Sequence, residues 1–355
     1  MQTRRFDIDW LRVIAIGFLL IYHIAIPFQP WGVFIGFIQN SETIEPLWIP
    51  MSFLNIWLIP LLFFVSGMGF FSMRKRNWKA LLKERAIRIL VPLIAGIILV
   101  VPLQSLLWQV YYKQELTPII FPAHLWFLGN IFSYVLLLSP VLFYLKKNEE
   151  KLRSKVAKMM DNPVKLLLFI IPFIVVIILI NPESYAMYAY TLNGYVLGFL
   201  AFMLGYLFVY LGNVFWETIF KWKWAFLVIG LSLYIVRVIA FEMESPLYLM
   251  SIETLVWIYA ILGVGYSYLQ VSSSYLSEAA YPVYIVHWVF IHLAGMWLFP
   301  LTISPWIKLI GIILVTFVGS MTFYHYVIRD INFIRPLFGL KFKRKEIHGA
   351  RILAA

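Results

Sequence analysis

Residues 11–28 read LRVIAIGFLLIYHIAIPF. Eighteen such residues span about 27 Å as an α-helix, enough to cross the hydrocarbon layer of a bilayer with flanking turns at its surfaces. Two residues are out of character, Arg12 and His23. A cationic or titratable side chain inside an apolar run is costly, so its presence points to function. The spacing sharpens this. Eleven positions along a helix turn through about 1100°, close to three full turns, so both side chains fall on one face. They lie about 16 Å apart along the axis. One end of that face can hold a negative group near the membrane surface, and the other can do proton chemistry deeper in.

The segment is retained rather than a secretory leader on this reading. Asp7, Asp9 and Arg12 interrupt its start, the apolar run continues to Phe28, and no small-x-small cleavage site follows.

The rest of the chain repeats the pattern. It is 62% hydrophobic and 13% charged, against about 25% charged in soluble domains. Ten apolar runs are expected to cross the membrane, with cores near 11–28, 48–71, 86–108, 121–145, 164–181, 191–212, 222–241, 248–270, 279–299 and 305–328. Pro46 and Pro60 mark the second run as the place for a break. The fold class is therefore an all-α polytopic bundle of about ten transmembrane helices. It forms one transmembrane domain over residues 1–340, followed by a basic tail at 341–355. The amphipathic stretch Lys146–Asp161 is expected at the membrane interface.

Charge distribution sets the orientation. The start of the chain, the connections after even-numbered runs and the tail carry 26 of the 29 Lys and Arg. The other side has Lys113, Arg237 and Lys308, with Glu42, Glu45, Glu183, Glu242 and Glu244. By the positive-inside rule both termini are cytoplasmic. The net charge of +12 then reflects topology and needs no nucleic-acid partner. The setting is a cell (inner or plasma) membrane, crossed many times. No internal repeat aligns the two halves, which disfavours an inverted-repeat transporter.

Several constellations can carry chemistry. Arg85 and Arg88, in KERAIRILVP, share a helix face just ahead of Val91-Pro92. Arginines flanking a span are commonly interfacial anchors, yet a pair at the level of Arg12 also suits phosphate, which guanidinium groups bind bidentately. Three histidines fall at depth: His23, His124 in FPAHLWFLGN, and His287 in YPVYIVHWVF. A membrane histidine is often a packing residue. The in-phase arginine favours a chemical role for His23. No HExxH and no histidine pair at i, i+4 occurs, so no metal site is expected. With no cysteine, there is neither a disulfide frame nor a thiol nucleophile. Ser66, in LFFVSGMGF, lacks the G-x-S-x-G elbow of a serine hydrolase. Its Ser-Gly-x-Gly run suits a close helix approach, with Ser66 as a candidate cavity residue. Glu253, in SIETLVWIYA, must pair, bind a proton or line water; Arg237 and the histidines are its candidate partners.

Together, RFDIDWLRVIAIGFLLIYH, WLIPLLFFVSGMGFF, RAIRILVP, HLWFLGNIF and YPVYIVHWVF resemble the acyltransferase 3 family of integral membrane acyltransferases over almost the whole chain. The opening and the closing RPLFGLK also look like its subgroup of glucan-modifying succinyltransferases. The resemblance implies transfer of an acyl group, acetyl or succinyl, from cytoplasmic acyl-CoA to a hydroxyl of a carbohydrate or glycan. Acetyl-CoA or succinyl-CoA would be the donor substrate, with no permanently bound cofactor. It implies His23 as the essential histidine, Arg12 as its partner, and Arg85 with Arg88 on the CoA side. His124 and His287 fall at motif positions. Imidazole suits the role of general base, and attack by His23 through an acyl-imidazole is the alternative route. The rival reading is a transporter or flippase in which Arg12, His23 and Glu253 form an ion or proton pathway.

Overall fold

In a lipid interior every backbone N–H and C=O needs a partner within the protein, so an isolated crossing segment is driven to helix whatever its propensity. The run IPFIVVIILI, rich in β-branched residues that are middling helix formers in water, is accordingly α-helical over Ile171–Ile180. The computed structural model describes residues 5–71, 77–147, 154, 160–210, 212–272 and 274–343. Among them are ten helices long and apolar enough to cross a membrane. These are α1 (Phe6–Phe28), α2 (Glu45–Phe70), α3 (Lys79–Tyr111), α4 (Ala123–Val141), α5 (Pro163–Ile180), α6 (Leu192–Tyr210), α7 (Asn213–Ala240), α8 (Leu247–Tyr268), α9 (Ser274–Leu298) and α10 (Pro305–Ile328). No strand occurs among the described residues. The protein is a multi-pass membrane protein, and each expected span has its helix.

Several helices begin earlier than their apolar cores. α1 starts at Phe6, α3 at Lys79 and α7 at Asn213, because helical backbone continues into the polar interface after the hydrocarbon ends. In α1 this places Asp7 and Asp9 in the first turn, where the positive end of the helix dipole favours acids.

The break expected near Pro46–Pro60 lies elsewhere. The second span starts with a 3₁₀ turn, Glu45–Leu47, then runs as α-helix from Trp48 to Phe71 with Pro60 inside it. The irregular helix is α3, which carries two π turns, Ala86–Leu90 and Gly96–Val100. Each ends just before a Val-Pro step, Val91-Pro92 and Val101-Pro102. Proline has no N–H for the α-helical ladder, and a wider turn resets the bonding ahead of it.

α2, α8 and α9 have the most buried spans, while α3, α5, α7 and α10 are mostly lipid-facing. The latter expose residues such as Ile98, Leu179, Val228 and Val318. α2 and α6 approach at backbone distance. A Cβ on Gly67 would strike the Phe202 carbonyl, and one on Gly205 would strike that of Phe64. This is the close approach that the Ser-Gly-x-Gly run anticipates.

Two connections matter for the site. Between α1 and α2 the chain folds over the bundle end, held by Asn40 N–H to Pro27 O at 2.9 Å and Ile44 N–H to Phe28 O at 2.8 Å. After α10, a 3₁₀ turn at Arg335–Phe338 returns the chain to the basic side of α3. There the buried Arg335 donates to Arg329 O, Lys341 O and Glu278 Oε1. The tail beyond residue 343, with His348, lies outside the described residues, as does most of the Lys146–Asp161 stretch.

Candidate active site

A cavity of about 760 Å³ opens among the basic-side ends of the helices. One of its walls is a stripe of α1: Arg5 just before the helix, then Ile8, Asp9, Arg12, Ile16 and Leu19. These positions recur every three to four residues, the period of one helix face. The next step along the stripe is His23, about 6 Å beyond Leu19 along the axis. Because α1 is unbroken from Phe6 to Ala25, Arg12 and His23 keep the common face that their spacing implies.

The mouth is basic. Arg5, Arg12, Arg85 and Arg88 line it, against the carboxylates of Asp9 and Glu84. Arg5 binds Asp7 through two N–H groups, at 2.8 and 2.5 Å, and lies 3.8 Å over the Trp216 ring. Arg12 stands 3.6 Å from Asp9. Arg85 donates to Gly69 O at 3.0 Å. Arg88 meets Glu84 at 3.4 Å while leaving 40% of its side chain exposed. Arg88 sits inside the first π turn of α3, with Arg85 just before it, and both face the cavity. Tyr281 and Gly339 complete this end. Farther in the wall turns apolar, with Leu19, Leu62, Phe127, Leu128 and Tyr284. Ser66 lines the cavity too, its hydroxyl donating to Leu62 O at 2.8 Å.

Beyond the inner end lies a cluster of imidazoles. His23 Nδ1 is 2.8 Å from His287 Nε2. The Trp288 indole N–H points at the same Nδ1, at 3.1 Å. His287 Nδ1 is 2.6 Å from Tyr284 O. His124 Nε2 is 3.1 Å from Ile285 O, and the His124 ring packs against Trp288 with centroids 4.9 Å apart. The Tyr284 hydroxyl donates to His124 O at 2.5 Å, tying the start of α4 to α9. Phe37, from the α1–α2 connection, caps the group with its ring 4.3 Å from Trp288 and 6.1 Å from His23. Thus His23, His124 and His287, from three helices, meet in one place. No group of three His, Cys, Asp or Glu among the described residues is arranged to hold a metal ion.

Glu253 stands apart from this centre. It receives Arg237 Nε at 2.8 Å and Nη2 at 3.0 Å, with both side chains almost fully buried between α7 and α8. It does not line the cavity. Arg5, Tyr281 and Gly339 line the cavity and Trp288 meets His23, and none of the four stands out individually by motif or spacing in the sequence. Trp288 had one available signal, adjacency to His287. Arg5 belongs to the basic start of the chain, where topology alone accounts for a charge.

Residues 5–325 match the acyltransferase domain family, acyltransferase 3, and the chain belongs to that family. No curated protein and no solved structure matches it.

Proposed function

We propose that this member of the acyltransferase family is a membrane O-acyltransferase that moves an acyl group from cytoplasmic acyl-CoA to a hydroxyl of a carbohydrate or glycan acceptor. One observation carries the reading: a single face of α1 runs from an arginine-lined mouth, along an apolar cavity, toward His23.

An acyl-CoA has its phosphates at one end and its thioester at the tip of a long, thin arm. Arg12, Arg85 and Arg88 hold the phosphates at the basic, cytoplasmic mouth through charge-assisted hydrogen bonds. The arm follows the apolar wall inward and brings the thioester toward His23. His23 takes the proton of the acceptor hydroxyl as its oxygen attacks the thioester carbon. The C–S bond then breaks and the thiolate leaves with a proton as free CoA. In the alternative route the imidazole attacks first and an acyl-histidine delivers the group. Close packing around the cluster excludes water and limits hydrolysis. The acyl group is acetyl or succinyl.

The transporter reading requires Arg12, His23 and Glu253 on one path. Glu253 is instead committed to Arg237, away from the cavity.

The test uses purified protein in detergent with acetyl-CoA or succinyl-CoA and a mixture of glycan acceptors, reading free CoA. His23→Ala is expected to abolish release and His348→Ala to leave it intact. Undiminished release by His23→Ala would sink the mechanism. Labelled acyl-CoA without acceptor separates the two routes, since only the second leaves label on His23.

A further inference from the structure

Resting on the acyl-transfer reading above, we infer that His287 is the proton-holding partner of His23, and that the Trp288 indole stabilises the proton-loaded state of the pair. Hydrogen counts on the two rings decide the roles. His287 Nδ1 faces Tyr284 O at 2.6 Å. A carbonyl oxygen only accepts, so this nitrogen carries a hydrogen. The other nitrogen of the ring, Nε2, meets His23 Nδ1 at 2.8 Å. The two rings are parallel within 5°, with centroids 5.1 Å apart. Given the short N···N distance, they meet edge to edge in nearly one plane, the alignment of a direct N–H···N bond.

Trp288 makes this bond a two-state device. Its indole nitrogen only donates, and it is aimed at the same His23 Nδ1, at 3.1 Å. When His23 Nδ1 carries the shared hydrogen, it donates to His287 and has no lone pair for the indole. When His287 Nε2 carries it, the single lone pair of His23 Nδ1 accepts from His287 at 2.8 Å and is shared with the indole N–H at 3.1 Å. Only the second state offers the indole N–H a lone pair to share.

The first state is ready to react. With a hydrogen on Nδ1, His23 Nε2 holds a lone pair, and no described residue occupies it. It takes the proton of the acceptor hydroxyl while the hydroxyl oxygen bonds to the thioester carbon. The Nδ1 hydrogen passes to His287, so the positive charge moves one ring away from the reacting atoms, and the indole N–H shares the lone pair exposed on His23 Nδ1. As the C–S bond breaks, the thiolate takes the proton from His23 Nε2, and Nδ1 recovers its hydrogen from His287. Thioester and alcohol give ester and thiol, and both histidines return to their starting forms. His287 touches no substrate in this scheme. It is a positioning residue that acts through His23.

The test compares wild type, His23→Ala, His287→Ala and Trp288→Phe in the CoA-release assay. His287→Ala is expected to lower kcat by about 10²–10⁴-fold, the range for a lost proton-transfer partner, with KM for acyl-CoA unchanged. Added imidazole should restore part of that kcat, which it would not do for a packing defect. Trp288→Phe keeps the aromatic bulk and removes the N–H. It should lower kcat by about 3–10-fold, as for one hydrogen bond, again at constant KM. It decides the matter if His287→Ala fails to fold, because unchanged turnover in Trp288→Phe overturns the two-state scheme. Full activity in His287→Ala, or a folded His287→Ala that binds donor but ignores imidazole, overturns the relay while leaving acyl transfer standing. Wild type that releases no CoA from any donor sinks acyl transfer itself.

Discussion

Glu253 offers the cleanest energetic test, because among the described residues it pairs with Arg237 and stands outside the lining of the cavity. The perturbation is Glu253→Ala. It removes an acceptor of two hydrogen bonds and leaves the Arg237 guanidinium inside the bundle, where its side chain is 1% exposed. With the charge centres about 4 Å apart and an effective dielectric of about 20, the lost attraction is about 4 kcal/mol. This agrees with the roughly 3–5 kcal/mol typical of breaking a buried ion pair from one side. Contacts from Arg237 to Ser52 O at 3.1 Å and Met243 O at 3.4 Å remain, but neutral carbonyls do not replace a carboxylate. The double variant Arg237→Met with Glu253→Leu should recover most of the loss, since apolar replacement of both partners is often neutral or stabilising.

The assay is reversible unfolding in mixed micelles for wild type, both single variants and the double, with turnover per folded molecule measured alongside. Expected are losses of about 3–5 kcal/mol in each single variant, a large favourable coupling in the double-mutant cycle, and acyl transfer close to wild type in all folded samples. Two results refute the reasoning. A Glu253→Ala protein within about 1 kcal/mol of wild type, a shift no larger than a surface pair would cause, would show that the pair is not the buried clamp seen here. Loss of turnover in a stable, folded Glu253→Gln protein would return Glu253 to the chemistry and revive the ion-pathway reading.

Two further predictions concern the cavity. At Gly339 the backbone has φ of +77°, and an added Cβ would strike the Tyr281 ring and lie 3.2 Å from Arg88 O. Gly339→Ala should therefore displace the turn after α10 from the arginine mouth, raising KM for acyl-CoA severalfold with little change in kcat; an unchanged KM would detach this turn from donor binding. Among the described residues, the cationic ones lining the cavity are Arg5, Arg12, Arg85 and Arg88, all at its mouth, whereas its inner end is Leu19, Leu62, Phe127, Leu128 and Tyr284. A succinyl carboxylate carried inward would lose water without gaining a cation, so acetyl-CoA should turn over faster than succinyl-CoA in side-by-side rate measurements. A preference for succinyl-CoA would refute this reading of the inner wall.

What the sequence disclosed, and what it withheld, follows from the range of each signal. Hydropathy is local, and all ten spans were legible because an apolar run in lipid has little alternative to helix. Helical phase is local too, which is why Arg12 and His23 could be placed on one face of α1 before any neighbour was known. Pairing between helices is not local. Glu253 had several possible partners, and only the packing of α7 against α8 selects Arg237. His23 and His287 are separated by 264 positions, and no periodicity joins them. Their meeting depends on how α1 lies against α9, with Phe37 seated on Trp288 from outside. The wall at Gly339 was hidden for a further reason: it lies beyond the last span, at a place that hydropathy reads only as a connection. The same distinction orders the chemistry. Residues of α1 set the distance from charge to imidazole, so their roles can be argued from one helix. Residues of α9 set the hydrogen count on that imidazole, so theirs can be argued only once both helices are in view. A substitution that shifted α9 along its axis would leave the stripe on α1 intact while separating His287 from His23. Donor binding would then survive and turnover would not, and that separation is what the proposed relay requires.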